Sequence, residues 1–271
     1  MPEDVVRGQA VLAQAVAAYR EVLSERLVAA YALGSLAHGG FSALVSDIDL
    51  GLILTNPLRA SDPETLGAIV ERVKRQGPLH ERLSVFWGTA STLHASQTGG
   101  RFPALDRLDL IENGRLLYGQ EARAGLTRPS SEELLVDGAQ FALGHLGVDN
   151  VIEQVRRPEL LFGGGVRWLT KLVLFPARFL FTAETGEVGT NAASVAHYLA
   201  DDQSVGTALV AAGLAWRTSP PDDEAVALAL LRSHLIPLYL HYLDDHTDRL
   251  KAHGQVELAE AFQHWRSRVL S

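Results

Sequence analysis

Apolar positions in the first part of the chain recur at steps of three and four. Leu12, Ala15, Val16, Tyr19, Val22, Leu23 and Leu27 mark one face of an amphipathic helix over Val5 to Leu27. The pattern then shortens. Val28 to Leu33 is an apolar run closed by Gly34-Ser35, Asp47 to Leu54 is a second closed by Thr55-Asn56-Pro57, and Leu83 to Trp87 is a third. Runs of this length between turn residues predict strands. Between the second and third, Ser61-Asp62-Pro63-Glu64 has the residues of a helix start, with Ser61 as N-cap and Glu64 completing a capping box. That helix is expected to reach about Arg75 and stop at Gly77-Pro78. Helix, strand, strand, helix, strand is the order of a small mixed sheet with helices on it.

After Leu116-Leu117-Tyr118-Gly119 the strand patterns end. Helices are predicted over 131–145, 165–183, 191–201, 203–213, 222–246 and 254–269, the first with capping residues in Pro129-Ser130-Ser131-Glu132-Glu133. The expected organisation is α+β, a small mixed-sheet domain over 1–125 followed by an all-α helical bundle over 126–271.

Composition narrows the classes. The chain has 271 residues, long enough for two domains, and at 47% hydrophobic it can build packed cores. The longest apolar stretch, Trp168 to Phe181, is interrupted by Lys171, Pro176 and Arg178, so no membrane span is expected. The start, Met1-Pro2-Glu3-Asp4, is acidic and lacks the basic-then-apolar order of a secretory signal, and the expected location is the cytoplasm. Cysteine is absent, which removes disulfides, thiolate metal sites and cysteine nucleophiles together. A net charge of −8 repels a phosphate backbone and argues against a nucleic-acid partner.

The chemistry is concentrated in Gly34-Ser35-Leu36-Ala37-His38-Gly39-Gly40, a short spacer, and Ser46-Asp47-Ile48-Asp49-Leu50. Asp47 and Asp49 are two apart on a strand, so their carboxylates share a face. Two adjacent carboxylates repel unless a cation lies between them, and hard oxygens at this spacing suit Mg²⁺. Gly34-Ser35 ends a strand and opens a short helix, where backbone N–H groups and the Ser35 hydroxyl form a phosphate cradle. Taken singly, Asp-x-Asp is more often a solvated strand edge and Gly-Ser a plain turn. Their order and spacing make the signal.

With Asp47 twelve residues after Ser35, this two-part motif resembles the nucleotidyltransferase superfamily that includes DNA polymerase β. The resemblance covers the first ~120 residues and identifies the sheet domain as a nucleotidyltransferase domain. It implies a nucleoside triphosphate, with ATP as the expected donor, and Mg²⁺ held by Asp47 and Asp49. Gly34 and Ser35 would lie on the phosphates, and an acceptor hydroxyl would attack the α-phosphorus with pyrophosphate leaving. The family also places a third carboxylate on the strand after the intervening helix. Here that strand, Leu83-Ser84-Val85-Phe86-Trp87, carries no acid. Glu81 serves as that catalytic carboxylate, metal ligand or general base, if the strand starts early, or else is a solvated residue after the Gly77-Pro78 turn; Ser84 in that position leaves the site without a base.

The helical half adds a second resemblance. Arg167, Lys171 and Arg178 share one face of an apolar helix, where they either meet the triphosphate or pair with Glu132, Glu133, Glu184 or Glu187. Lys171 and Arg178 are the candidate nucleotide contacts. Ala177 to Gly186, with Ala192 and Ala193, resembles the C-terminal helical domain of the streptomycin/spectinomycin adenylyltransferases. Those enzymes carry acidic drug-binding residues just before this helix, where this chain has Gly163-Gly164-Gly165 and Arg167, and a lysine soon after it, where Asn191 stands. A polycationic aminocyclitol needs acids, so a different small-molecule acceptor, seated between the two domains, is expected. His234, His241 and His246 near Asp244 and Asp245 do not form a dense ligand set. Two other readings stay open: a weakly active or inactive nucleotide- or partner-binding module on the same fold, and a protein AMP-transferase. Oligomeric state is not legible.

Overall fold

The computed structural model describes residues 2–94 and 99–271, which leaves the Met1 of the acidic N-terminus outside. The chain divides into two compact units, 1–129 and 130–271. In the first, α1 (Glu3–Leu23) buries Leu12, Ala15, Val16, Tyr19 and Leu23 of the stripe its sequence pattern marks, together with Val11, whereas Val22 is exposed. It stops before Leu27 because Ser24 takes a positive φ of 50° and a short 3-10 turn leads into β1 (Leu27–Leu33). There follow α2 (Ser35–His38), β2 (Ile48–Leu54), α3 (Asp62–Lys74), β3 (Leu83–Thr89), α4 (Ala104–Asn113) and β4 (Arg115–Gly119). The sheet order is β3-β2-β1-β4. β1 runs antiparallel to both β2 and β4, and β2 is parallel to β3, so the sheet is mixed.

Alternation assigns the two faces. Ala30, Ala32, Ile48, Leu50, Leu52, Leu83 and Val85 pack with α1 and α3. Ala29, Tyr31, Leu33 and Ile53 point the other way and meet Leu110 of α4. α4 and β4 lie outside the sequence expectation. The buried residues of α4 include Arg107 and Asp109, which break its apolar period, and β4 is an exposed edge strand with no alternation to read.

The Ser61 capping box does not form. Ser61 stays in helical conformation with no side-chain cap bond, whereas a capping residue needs an extended backbone. Its neighbour Asp62 anchors the turn instead. The Asp62 carboxylate is 1% exposed, accepts the Arg59 N–H at 2.7 Å and receives both terminal nitrogens of Arg26 at 2.6 and 2.9 Å.

In the second unit the helices are α5 (Ser131–His145), α6 (Asp149–Arg156), α7 (Gly165–Thr185), α8 (Asn191–Ala200), α9 (Thr207–Ala215), α10 (Glu224–Ala252) and α11 (Val256–Leu270). Ser130 and Glu133 make the expected reciprocal capping box on α5. α6 is additional to the expected set, and α10 continues past residue 246 to Ala252. The core joins Leu172, Val173, Leu235, Tyr239, Tyr242, Phe262 and Trp265. Pro176 inside α7 lacks the N–H that Leu172 O would accept, and the buried Tyr239 hydroxyl donates to that carbonyl at 3.0 Å. By length and composition, Pro158–Thr185 and Glu224–Ala252 are each apolar enough to cross a membrane; here α7 and α10 pack together in this core.

Candidate functional site

The site is built where β1 and β2 lie antiparallel. Leu33, the last residue of β1, is opposite Asp49, the second residue of β2. Gly34 then takes φ 58° and ψ −150°, a conformation closed to residues with a Cβ, and turns the chain into α2. A Cβ at Gly34 would meet Asp49 Oδ2 at 2.4 Å, so the glycine lets the Asp49 carboxylate lie directly on the backbone of the turn.

The spacer that delivers Asp47 is tied down at several points. Buried Ser46 accepts the Ser42 N–H through its hydroxyl at 3.0 Å, Ser42 Oγ accepts the Leu44 N–H at 3.2 Å, and Asp4 accepts the Ala43 N–H at 2.9 Å. Arg82 donates to the Ala43 carbonyl. Asp47 thus enters β2 from a fixed loop, and Asp47 and Asp49 are both half-buried.

β3 settles which residue neighbours them. It begins at Leu83, and its register pairs Asp49 with Ser84. Glu81 is exposed in the 3-10 turn His80–Arg82, off the strand. The strand does not start early, and the position beside Asp49 carries a hydroxyl. Among the described residues, no three histidine or acidic side chains converge as a metal cluster; this includes the His234, His241 and His246 region.

A residue not foreseen from the sequence lies behind the turn. Asp109 of α4 is 4% exposed; its Oδ2 accepts the Gly34 N–H at 2.6 Å and its Oδ1 accepts from Asn113 Nδ2 at 3.0 Å. His38 Nε2 is 3.9 Å from the same carboxylate. The Gly34 N–H is therefore committed to a side chain. The only signal in the sequence is an acid set between Leu108 and Leu110.

Lys171 and Arg178 belong to the second unit, on α7, and are half-buried there. Arg178 lies over the Phe175 ring at 5.8 Å. The glutamates offered as their partners make other contacts as well: Glu133 caps α5, Glu132 accepts from Gln255, and Glu184 meets His197 and Arg249. Trp216 and Trp265 are core residues, and Trp168 donates to Gln154 at 2.7 Å. A surface hollow of about 520 Å³ between α1 and β4, lined by Arg20, Glu21 and Tyr118, contains neither aspartate.

The fold, a four-stranded mixed sheet with a glycine-serine turn after β1 and Asp47-Ile48-Asp49 at the start of β2, followed by a helical unit, is shared with a solved structure. Among solved structures the chain is similar to the spectinomycin adenyltransferase AAD(9) from Enterococcus faecialis, a structure with ATP and spectinomycin. The TM-score is 0.57 at 10% identity, covering 97% of this chain and 99% of that one. No protein-family model and no curated protein matches the sequence.

Proposed function

We propose that the protein transfers a nucleoside monophosphate, AMP from ATP, to a hydroxyl of a small-molecule acceptor. The observation that carries this reading is the packing of Asp49 against Gly34 at the end of β1, with Asp47 two residues upstream as the loop residue just before β2. The structural likeness to an enzyme crystallised with ATP supports it.

Two half-buried carboxylates two residues apart at the start of β2 are a donor set that suits a hard divalent ion sharing its shell with phosphate and water. When bound, Mg²⁺ would supply charge neutralisation for the triphosphate. The chain's own parts are as follows. Asp47 and Asp49 hold the ion's position. Gly34 turns the chain, while the N–H groups of Ser35 and Leu36, the first of the short helix, and the Ser35 hydroxyl receive phosphate oxygens. Lys171 and Arg178 are proposed as cationic contacts to the nucleotide. Glu81 lies off the strand, so the position beside Asp49 holds Ser84 instead; from the exposed turn Glu81 is proposed only as a loosely held base, and turnover is slow. Gly163-Gly164-Gly165 and Arg167 at the start of α7 offer no acids, which favours an acceptor less cationic than an aminocyclitol.

The test is label transfer from α-phosphate-labelled ATP with Mg²⁺, across neutral and cationic hydroxylated acceptors and a protein extract. Labelled small-molecule product with pyrophosphate release, lost in Asp47→Asn and Asp49→Asn, is the expected result. ATP binding without transfer would favour the non-catalytic module, and label on protein the AMP-transferase reading. The missing acid on β3 is the observation that keeps the module reading in view.

A further inference from the structure

We infer that Asp109 is a positioning residue for the phosphate-binding turn, an inference that rests on the nucleotidyltransferase reading above. Asp49 and Asp109 bracket one glycine from two sides. Asp49 Oδ2 abuts the Gly34 Cα, and Asp109 Oδ2 takes the Gly34 N–H at 2.6 Å. The φ of a glycine is soft, since glycine samples both halves of the map. A turn at φ 58° that must hold both Ser35 and Asp49 needs an outside constraint. The Asp109 acceptor supplies it from a rigid helix.

Burial of the carboxylate has to be compensated. At 4% exposure Asp109 is out of water, and burying an ionised acid is costly unless its oxygens are bonded. Here both are: Oδ2 by Gly34 and Oδ1 by Asn113, with the His38 ring 3.9 Å away. The helix that carries Asp109 also plugs the sheet with Leu110 directly after it, so the carboxylate cannot retreat without unpacking the apolar cluster of Ala29, Tyr31 and Leu33. The role follows from the acceptor oxygen at Gly34 and does not require Asp109 to touch nucleotide or metal.

Three variants test this in the full chain. Asp109→Asn keeps an acceptor for Gly34, Asp109→Leu keeps the volume without one, and Asp109→Ala removes both. The readouts are ATP affinity by calorimetry with Mg²⁺, kcat and KM for nucleotide, and the Gly34 amide proton shift. The carboxylate bond places that proton downfield in the wild type. In Asp109→Leu it moves upfield, ATP affinity falls about tenfold and kcat more than thirtyfold, with helix content retained. Asp109→Asn stays within about threefold of wild type in both constants. If Asp109→Ala does not fold, the leucine and asparagine pair decides. Wild-type ATP affinity in Asp109→Leu overturns the inference, as does equal damage in the leucine and asparagine variants. A wild type that binds ATP tightly but transfers nothing fails the functional reading instead, and the affinity comparison still judges Asp109.

Discussion

Asp49 on β2 and Ser84 on β3 are direct neighbours in a parallel ladder, so a carboxylate and a hydroxyl stand side by side on the face that α4 packs against. The third acid that the polymerase-like resemblance implies would belong at this point. Glu81 is exposed on the turn before β3, off the strand, and is proposed as its loosely held substitute. A held general base contributes about 10²–10⁴ in rate, and a solvated one on a turn less, so Glu81→Gln is expected to lower kcat about tenfold. Ser84→Asp is expected to raise kcat by a similar factor, and in that background Glu81→Gln should have little further effect. Steady-state pyrophosphate release on the four proteins measures the coupling. Additive effects would mean that the two positions do not serve the same step.

The pair Arg26–Asp62 anchors the start of α3 and carries stability. The pair is part-buried, and taking the charged donor from the buried Asp62 carboxylate, which keeps the Arg59 N–H, costs about 1–3 kcal/mol, so Arg26→Met should lower the melting temperature by several degrees. The hydrogen bonds from Arg26 hold the Asp62 carboxyl below its ordinary value. A carboxyl depressed in the folded state stabilises the fold above the ordinary carboxylate range, and that contribution is lost as pH falls through it. Wild type should therefore lose stability below about pH 4 at this group, and Arg26→Met should lose less over the same interval. Melting curves from pH 6 to pH 2.5 check both.

How much of this was legible in the sequence depended on where apolar period and chemistry coincided. The strands around Gly34 and Asp49 are continuous apolar runs, and the stripe of α1 repeats cleanly, so both could be read. α4 could not, because Arg107 and Asp109 occupy its buried side. With the helix went Asp109, whose bond to Gly34 pairs residues far apart in sequence and leaves no local trace. The Ser61 cap misled for the opposite reason. The local signal was present, and the long-range Arg26–Asp62 pair overrode it. The absence of an acid beside Asp49 could be read as a suspicion; the β2–β3 register makes it a position, Ser84.

In the helical unit, His246 is 2% exposed between the Tyr242 and Phe262 rings, bonded through Nδ1 to Asp245 at 3.1 Å. Burial lowers its pKa, against the upward pull of Asp245, while Arg249 adds to the lowering and Glu184 opposes it. With the folded value below the unfolded one, the unfolded chain binds more protons in the window beneath about pH 6.5, and stability rises with pH there. Cooling of the melting point is expected as pH drops from 7.5 to 5.5. His246→Gln, which keeps a donor toward Asp245, should flatten that slope while lowering stability at neutral pH. An unchanged slope would assign the acid sensitivity to other groups.

The geometry at Gly34 separates two costs that one substitution combines. Alanine there must adopt φ 58° and ψ −150°, a strained backbone worth about 1–3 kcal/mol. Its Cβ must also displace Asp49 Oδ2 from 2.4 Å, an overpacking of about 1–3 kcal/mol more. Gly34→Ala is thus expected to lower stability by the sum and to abolish nucleotide turnover, because the carboxylate proposed to hold the ion is the one pushed aside. The backbone part does not depend on Asp49, and the steric part does. In an Asp49→Ala background the same substitution should therefore cost only the strain, giving a coupling of about 1–3 kcal/mol in a denaturant double-mutant cycle. A coupling near zero would mean that the turn relaxes around the added methyl, and that the Gly34–Asp49 contact does not fix where the carboxylate sits.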